Sequence, residues 1–176
     1  MVTVEREIKA SAEAIWNVLA DGWLYAAWVV GASRMRAVDP RWPATGAVLH
    51  RLVQTPADLE SANPNLLHGA VNGGTAQLFQ QLVFRPVTGL GRAETVVKAS
   101  VPQRELVLHG KARPLGEVAI RVQLEPRPSG CLVILQEDAV GGPMALIPPL
   151  VRQLMIRPRN TEALRRLAYL AEGESR

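Results

Sequence analysis

Between residues 92 and 138 the sequence breaks into strand-length runs, 92–101, 104–112, 117–125 and 131–138, separated by Pro102-Gln103, Pro114-Leu115-Gly116 and the stretch 126–130. Proline and glycine at such short, regular intervals mark turns, so the runs read as an antiparallel meander. The run 117–125 alternates cleanly: Val118, Ile120, Val122 and Leu124 point one way, Glu117, Arg121, Gln123 and Glu125 the other. One face of the sheet is therefore buried and one is wet. After Gly141-Gly142-Pro143 the apolar period becomes helical, with Val151, Leu154 and Met155 in one patch and Ala163, Leu164, Leu167, Leu170 and Ala171 continuing it. Pro158 predicts a kink or break in this helix, and Gly173 its end. Arg152, Arg159 and Arg166 recur every seven residues on its polar side, with Glu162 placed for surface pairing.

The N-terminal half supplies the rest of the architecture. Val2, Val4, Arg6 and Ile8 alternate with Thr3, Glu5, Glu7 and Lys9 as a first strand. Ser11 stands where a helix N-cap belongs, and Ala14, Ile15, Val18 and Leu19 form one helical face that ends at Asp21-Gly22. The apolar, aromatic stretch 23–30 predicts a second short helix. Candidate strands follow at 33–39 and 47–53, joined by Pro40-Arg41-Trp42-Pro43 and Gly46. Residues 54–80 hold prolines, asparagines and a glycine pair with little periodicity, apart from a short helical stretch at 57–62. They predict a long excursion of the lid or mobile type, with one more strand at 78–84. The expected fold class is α+β: a curved antiparallel sheet wrapped around a long C-terminal helix, with two short helices after the first strand.

The chain of 176 residues, 48% hydrophobic and 20% charged, suits one soluble globular domain spanning 1–176. It contains no apolar run long enough to span a membrane and opens on an alternating, charged segment rather than a signal peptide. Cys131 is the only cysteine, so no internal disulfide forms and a cytoplasmic location is expected. The net charge of +4 raises the question of nucleic acid, but arginines dominate and are spread among acidic residues except near 152–166. That distribution reads as a solvated surface, with no specific nucleic-acid binding.

Several stretches carry a resemblance. They are Val4 to Ile8 followed by Lys9-Ala10-Ser11-Ala12-Glu13-Ala14-Ile15-Trp16; Asp21-Gly22-Trp23 with Trp28-Val29-Val30-Gly31; Pro102-Gln103-Arg104-Glu105-Leu106; and 159–167, Arg159 to Leu167. Taken in order, they resemble bacterial members of the START/Bet v 1-like (SRPBCC) superfamily, often labelled polyketide cyclase/dehydrase. The resemblance covers nearly the whole chain except the excursion at 54–80. It implies a helix-grip fold with a cavity between the concave sheet face and the last helix, used for lipids, sterols, polyketides or other apolar molecules. It does not imply one activity, because carriers, cyclases, hydrolases and co-chaperones share the fold.

Candidate chemistry is sparse. His50, His68 and His109 lack metal-site spacing, so no metal and no cofactor are expected. Cys131 opens a strand after Gly130, where a half-buried hydrophobe is the ordinary reading, and no nucleophile elbow or phosphate loop is present. Alternation from Val133 and Leu135 carries Glu137 to the same inward face. There it needs a partner such as an arginine, and the favoured reading is instead a strand-end carboxylate reaching solvent. His50 has no assigned face; Arg36 completes the candidate polar set. Leu106, Leu108, Ile120 and Val122 are the other inward strand positions. Trp16 reads as core. Trp23 and Trp28 are placed by the resemblance at the cavity border, and Met144, Ile147, Leu150 and Leu154 along its wall or mouth.

These features support binding or transport of a small hydrophobic molecule, with a polyketide cyclase/dehydratase-like enzyme and a protein-interaction role (toxin or co-chaperone-like) as alternatives. A strand edge or the 54–80 segment offers a route to a homodimer.

Overall fold

A computed structural model describes residues 1–53, 92–112 and 116–174. The expected excursion at 54–80, its short helix at 57–62 and the strand at 78–84 lie outside the described residues, as does His68.

The described chain forms a seven-stranded sheet and a long helix. Strand β1 (Val2–Ile8) leads to α1 (Ala12–Ala20), a 3-10 turn at Gly22–Leu24 and a single-turn helix α2 (Tyr25–Trp28). Strands β2 (Ala32–Val38) and β3 (Val48–Val53) follow, then β4 (Arg92–Val101), β5 (Glu105–Ala112), β6 (Gly116–Arg127) and β7 (Gly130–Gly141). A second 3-10 turn (Pro143–Leu146) precedes α3 (Pro149–Glu174). The sheet order is β1-β7-β6-β5-β4-β3-β2, with every neighbouring pair antiparallel. This curved sheet and its C-terminal helix are the α+β helix-grip architecture that the sequence pattern predicts.

Local chemistry sets the element ends. Ser11 is extended, and its Oγ accepts from the Ala14 amide at 3.1 Å, which satisfies a helix-start donor that would otherwise be orphaned. Asp21 ends α1 and caps the next turn by accepting from the Trp23 amide at 2.8 Å. The aromatic stretch therefore begins as a 3-10 turn and becomes helical only at Tyr25.

The core lies between the concave sheet face and α3. On β7 the inward residues are Cys131, Val133, Leu135, Glu137 and Ala139, all buried, while alternate residues are half-buried. On β5 and β6, Leu106, Leu108, Val122 and Leu124 point the same way. Helix α3 closes the other side with Ile156, Ala163, Leu164, Leu167 and Ala171, resting mainly on β1 and α1. Trp42, in the turn before β3, joins this core: its Nε1 donates to the Leu19 carbonyl at 3.2 Å and its ring meets Tyr25 edge-on.

One expectation about α3 is narrowed and another corrected. Pro158 does not break the helix, which runs from Pro149 to Glu174. Proline removes one backbone donor there, and side-chain ties from Arg152 and Arg159 to β7 hold the helix on either side of it. The first-half patch also faces elsewhere. Arg152, Ile156 and Asn160, four residues apart, form the inward line; Leu154 lies about 200° around the helix from Ile156 and points outward. Leu150 and Leu154 are accordingly 70% and 72% exposed. Arg152 and Arg159, expected on the polar side, turn toward the sheet, and only Arg166 keeps a surface pairing with Glu162.

Candidate functional site

The sheet and α3 do not close completely on each other. Between them lies a cavity of about 140 Å3, near the size that holds a benzene ring. Its apolar wall comes from Trp28, Val29 and Val30 after α2, Val118, Ile120 and Leu135 on the sheet, and Met144 and Ala163 on the closing side. Gly110, Ala112 and Gly116 keep the sheet floor low.

Four polar side chains break this apolar lining: Arg51 on β3, Glu137 on β7, and Arg159 and Asn160 on α3. Glu137 is 3% exposed, and the guanidinium of Arg159 donates to its Oε1. An isolated carboxylate at that depth would be costly; the arginine supplies its counter-charge. The favoured reading of Glu137 as a strand-end carboxylate reaching solvent is corrected: the side chain points inward, and the pairing with Arg159 makes that burial tolerable.

Among the described residues, Asn160, 3% exposed, has no hydrogen-bond partner for its Nδ2. Arg51 is buried at 9%, its guanidinium sits 5.6 Å from the centre of the Tyr25 ring, and its Nε has no partner among them. The buried hydroxyls of Tyr25 and Thr95 are likewise without a partner among the described residues.

Outside the cavity, Asp138 on β7 lies 3.0 Å from the Met1 ammonium and 2.9 Å from Arg152, and these cations, the ammonium first, hold its carboxyl below the ordinary value. On the outer sheet face His109 and Glu117 share a 2.8 Å hydrogen bond that lowers the Glu117 pKa. Burial raises the Cys131 thiol, which makes it a poor nucleophile. No group of three His, Cys, Asp or Glu able to hold a metal occurs among the described residues.

The structure separates the residues singled out in the sequence. Trp28, Ile120, Leu135, Glu137 and Met144 line the cavity. Leu106, Leu108, Val122 and Val133 are packed into the core beside it. Trp23 is 60% exposed and stands away from the cavity, as do Leu150 and Leu154. Asp21 caps the turn through the Trp23 backbone, leaving the indole outside. Ile147 is half-buried and outside the lining. His50 and Arg36 do not join Glu137: they border a second groove with Glu94 and Lys111, which shares only Arg51 with the cavity. Register explains this, since His50 pairs with Ala37 and Glu94 on the wet face while Leu49 and Arg51 turn inward.

Sequence reasoning passed over Arg51, Arg159 and Asn160. The signals were present: Arg51 alternates with Leu49, and Asn160 sits four residues from both Ile156 and Leu164. A polar residue on an apolar stripe is the mark of a lined cavity.

Neither a family model nor a curated protein matches the sequence. Solved structures do match in shape. The ZhuI aromatase/cyclase from Streptomyces sp. R1128 aligns with a TM-score of 0.63 at 14% identity, over 99% of this chain and 94% of that one. The di-domain aromatase/cyclase StfQ of the steffimycin biosynthetic pathway gives 0.64 at 11% identity, over 98% of this chain and 50% of that one. A protein from Chromobacterium violaceum gives 0.61 at 14% identity, over 97% and 96% of the two chains. With its antiparallel grip, closing helix and intervening cavity, this chain shares the fold of these solved structures.

Proposed function

We propose that this protein, as a single domain, binds or carries a small hydrophobic molecule in the cavity between the sheet and α3. The observation that carries the reading is the lining: apolar side chains on most of the wall, with a few buried polar groups gathered among them. Apolar walls supply affinity and sparse polar groups supply orientation. The lone, buried Cys131 suits a reducing compartment, so a cytoplasmic setting belongs to the same reading. The edges at β1 and β2, unpaired among the described residues, give two copies a route to associate as a homodimer.

A second reading, a cyclase or dehydratase acting in the same cavity, is favoured by one observation: ZhuI and StfQ, which share the fold, are aromatase/cyclases. Against it stands the mutual engagement of Glu137 and Arg159, which leaves the one buried carboxylate of the lining tied to a cation. Native mass spectrometry before and after denaturation tests the primary reading. A hydrophobic molecule released on unfolding supports binding and gives its chemical class. A clean apo mass, with no uptake of added apolar compounds, overturns it.

A further inference from the structure

The cavity's charges do not balance. Glu137 is neutralised by Arg159, whereas Arg51, 9% exposed, has no carboxylate within ion-pair distance and no partner for its Nε among the described residues, and its guanidinium lies over the Tyr25 ring. An arginine cannot shed its proton to escape burial, so an unpaired guanidinium at this depth carries a standing desolvation cost. Across the cavity Asn160 presents a buried amide donor that is likewise unused. Beside Arg51 the sheet is kept bare: a Cβ on Gly110 would fall 4.0 Å from Arg51 Nη2, 3.7 Å from Thr95 Oγ1 and 2.9 Å from Val118 Cγ2. A side chain at Gly110 would collide with Val118 and crowd the Arg51 guanidinium, so the glycine leaves that guanidinium its room.

Resting on the ligand-binding reading, we infer that the molecule this cavity takes is a small aromatic acid, its ring against Trp28, Ile120 and Leu135 and its carboxylate between Arg51 and Asn160. A carboxylate satisfies the arginine's charge and accepts from the asparagine amide at the same time. A neutral hydrocarbon would fill the space and leave both donors unpaired. The volume suits a single ring better than a long acyl chain or a sterol.

Calorimetric titration with benzoate, and in parallel with toluene, tests this. The native protein is expected to bind benzoate about tenfold or more tighter than toluene, the range of a hydrogen bond to a charged group. Arg51→Met should abolish that preference with toluene binding unchanged, Asn160→Leu should reduce it, and Arg51→Lys should retain part of it. Without ligand, Arg51→Met should also melt at a higher temperature than the native protein, because it removes an uncompensated buried charge. Toluene bound as tightly as benzoate by the native protein overturns the inference and leaves the apolar-cavity reading standing. Binding of neither compound overturns both. Should Arg51→Met not fold, the benzoate-to-toluene ratio of the native protein and of Arg51→Lys still decides.

Discussion

Arg159, in the middle of α3, reaches the carboxylate of Glu137 on β7, and the partners differ sharply in exposure: the Glu137 side chain is 4% exposed and that of Arg159 39%. The two ends of this ion pair are therefore not equivalent. Arg159→Met strands a buried carboxylate and should cost about 3 kcal/mol, in the range for breaking a buried pair. Glu137→Gln leaves a guanidinium that can turn to water and should cost about 1 kcal/mol. Urea unfolding of both variants checks the asymmetry, and equal costs would mean that the carboxylate is not buried as described.

Glu162 behaves differently because it sits on the surface. Hydrogen bonds from Arg165 and Arg166 bring its pKa down from 4.5 to about 2. A carboxyl depressed in the folded state adds stability above its unfolded value and loses it on acidification. The contribution is thus complete above pH 4.5 and fades as pH falls toward 2. With the side chain one-third exposed, solvent screening limits it to about 0.5–1 kcal/mol. Glu162→Gln should therefore lower stability slightly at neutral pH and flatten the acid limb of a denaturation profile. An unchanged acid limb would remove these pairs from the account of acid stability.

Ala163 is 4% exposed and forms part of the cavity wall. Ala163→Leu adds volume where space is free, so the fold should tolerate it at a cost under about 1.5 kcal/mol. The same change should exclude a bound molecule, seen as loss of the ligand-shifted species in native mass spectrometry. Undiminished ligand uptake would place the binding site elsewhere.

Gly130 opens β7 with φ at 149°, and a Cβ there would fall 2.1 Å from the Ile8 carbonyl oxygen. Backbone on both sides leaves nothing soft to give way. Gly130→Ala should destabilise by about 2 kcal/mol or more, read from the thermal midpoint, and a neutral result would show that the β1–β7 end can rearrange.

Much of this site could be read from the chain alone, and the failures share a cause. Alternation along 131–138 allowed Glu137 on the inward face with Val133 and Leu135, as observed, although the cost of burying a carboxylate favoured a solvent-reaching side chain until its arginine partner was known. Alternation along 47–53 left the face open, and only pairing with β4 puts Arg51 inside and His50 outside. On α3, periodicity predicted the apolar line from Ala163 to Ala171, where small and branched residues repeat without ambiguity. Nearer the N-terminus, Val151, Leu154 and Met155 offered an equally apolar stripe, of which Val151 and Met155 are half-buried and Leu154 is exposed. The observed stripe is interrupted by Arg152 and Asn160, so pattern alone favours the incorrect one.

The sequence by itself determined the order of elements, the antiparallel meander, the capped first helix and the long closing helix. Each follows from a period or a turn residue acting over a few positions. Only the tertiary structure decided which polar residues share the cavity: Arg51, Glu137, Arg159 and Asn160 come from β3, β7 and α3, more than 100 residues apart at the extremes. Local periodicity orients a side chain relative to its own element. Which elements then face one another, and whether a buried charge meets its counter-charge, is settled by packing between distant segments.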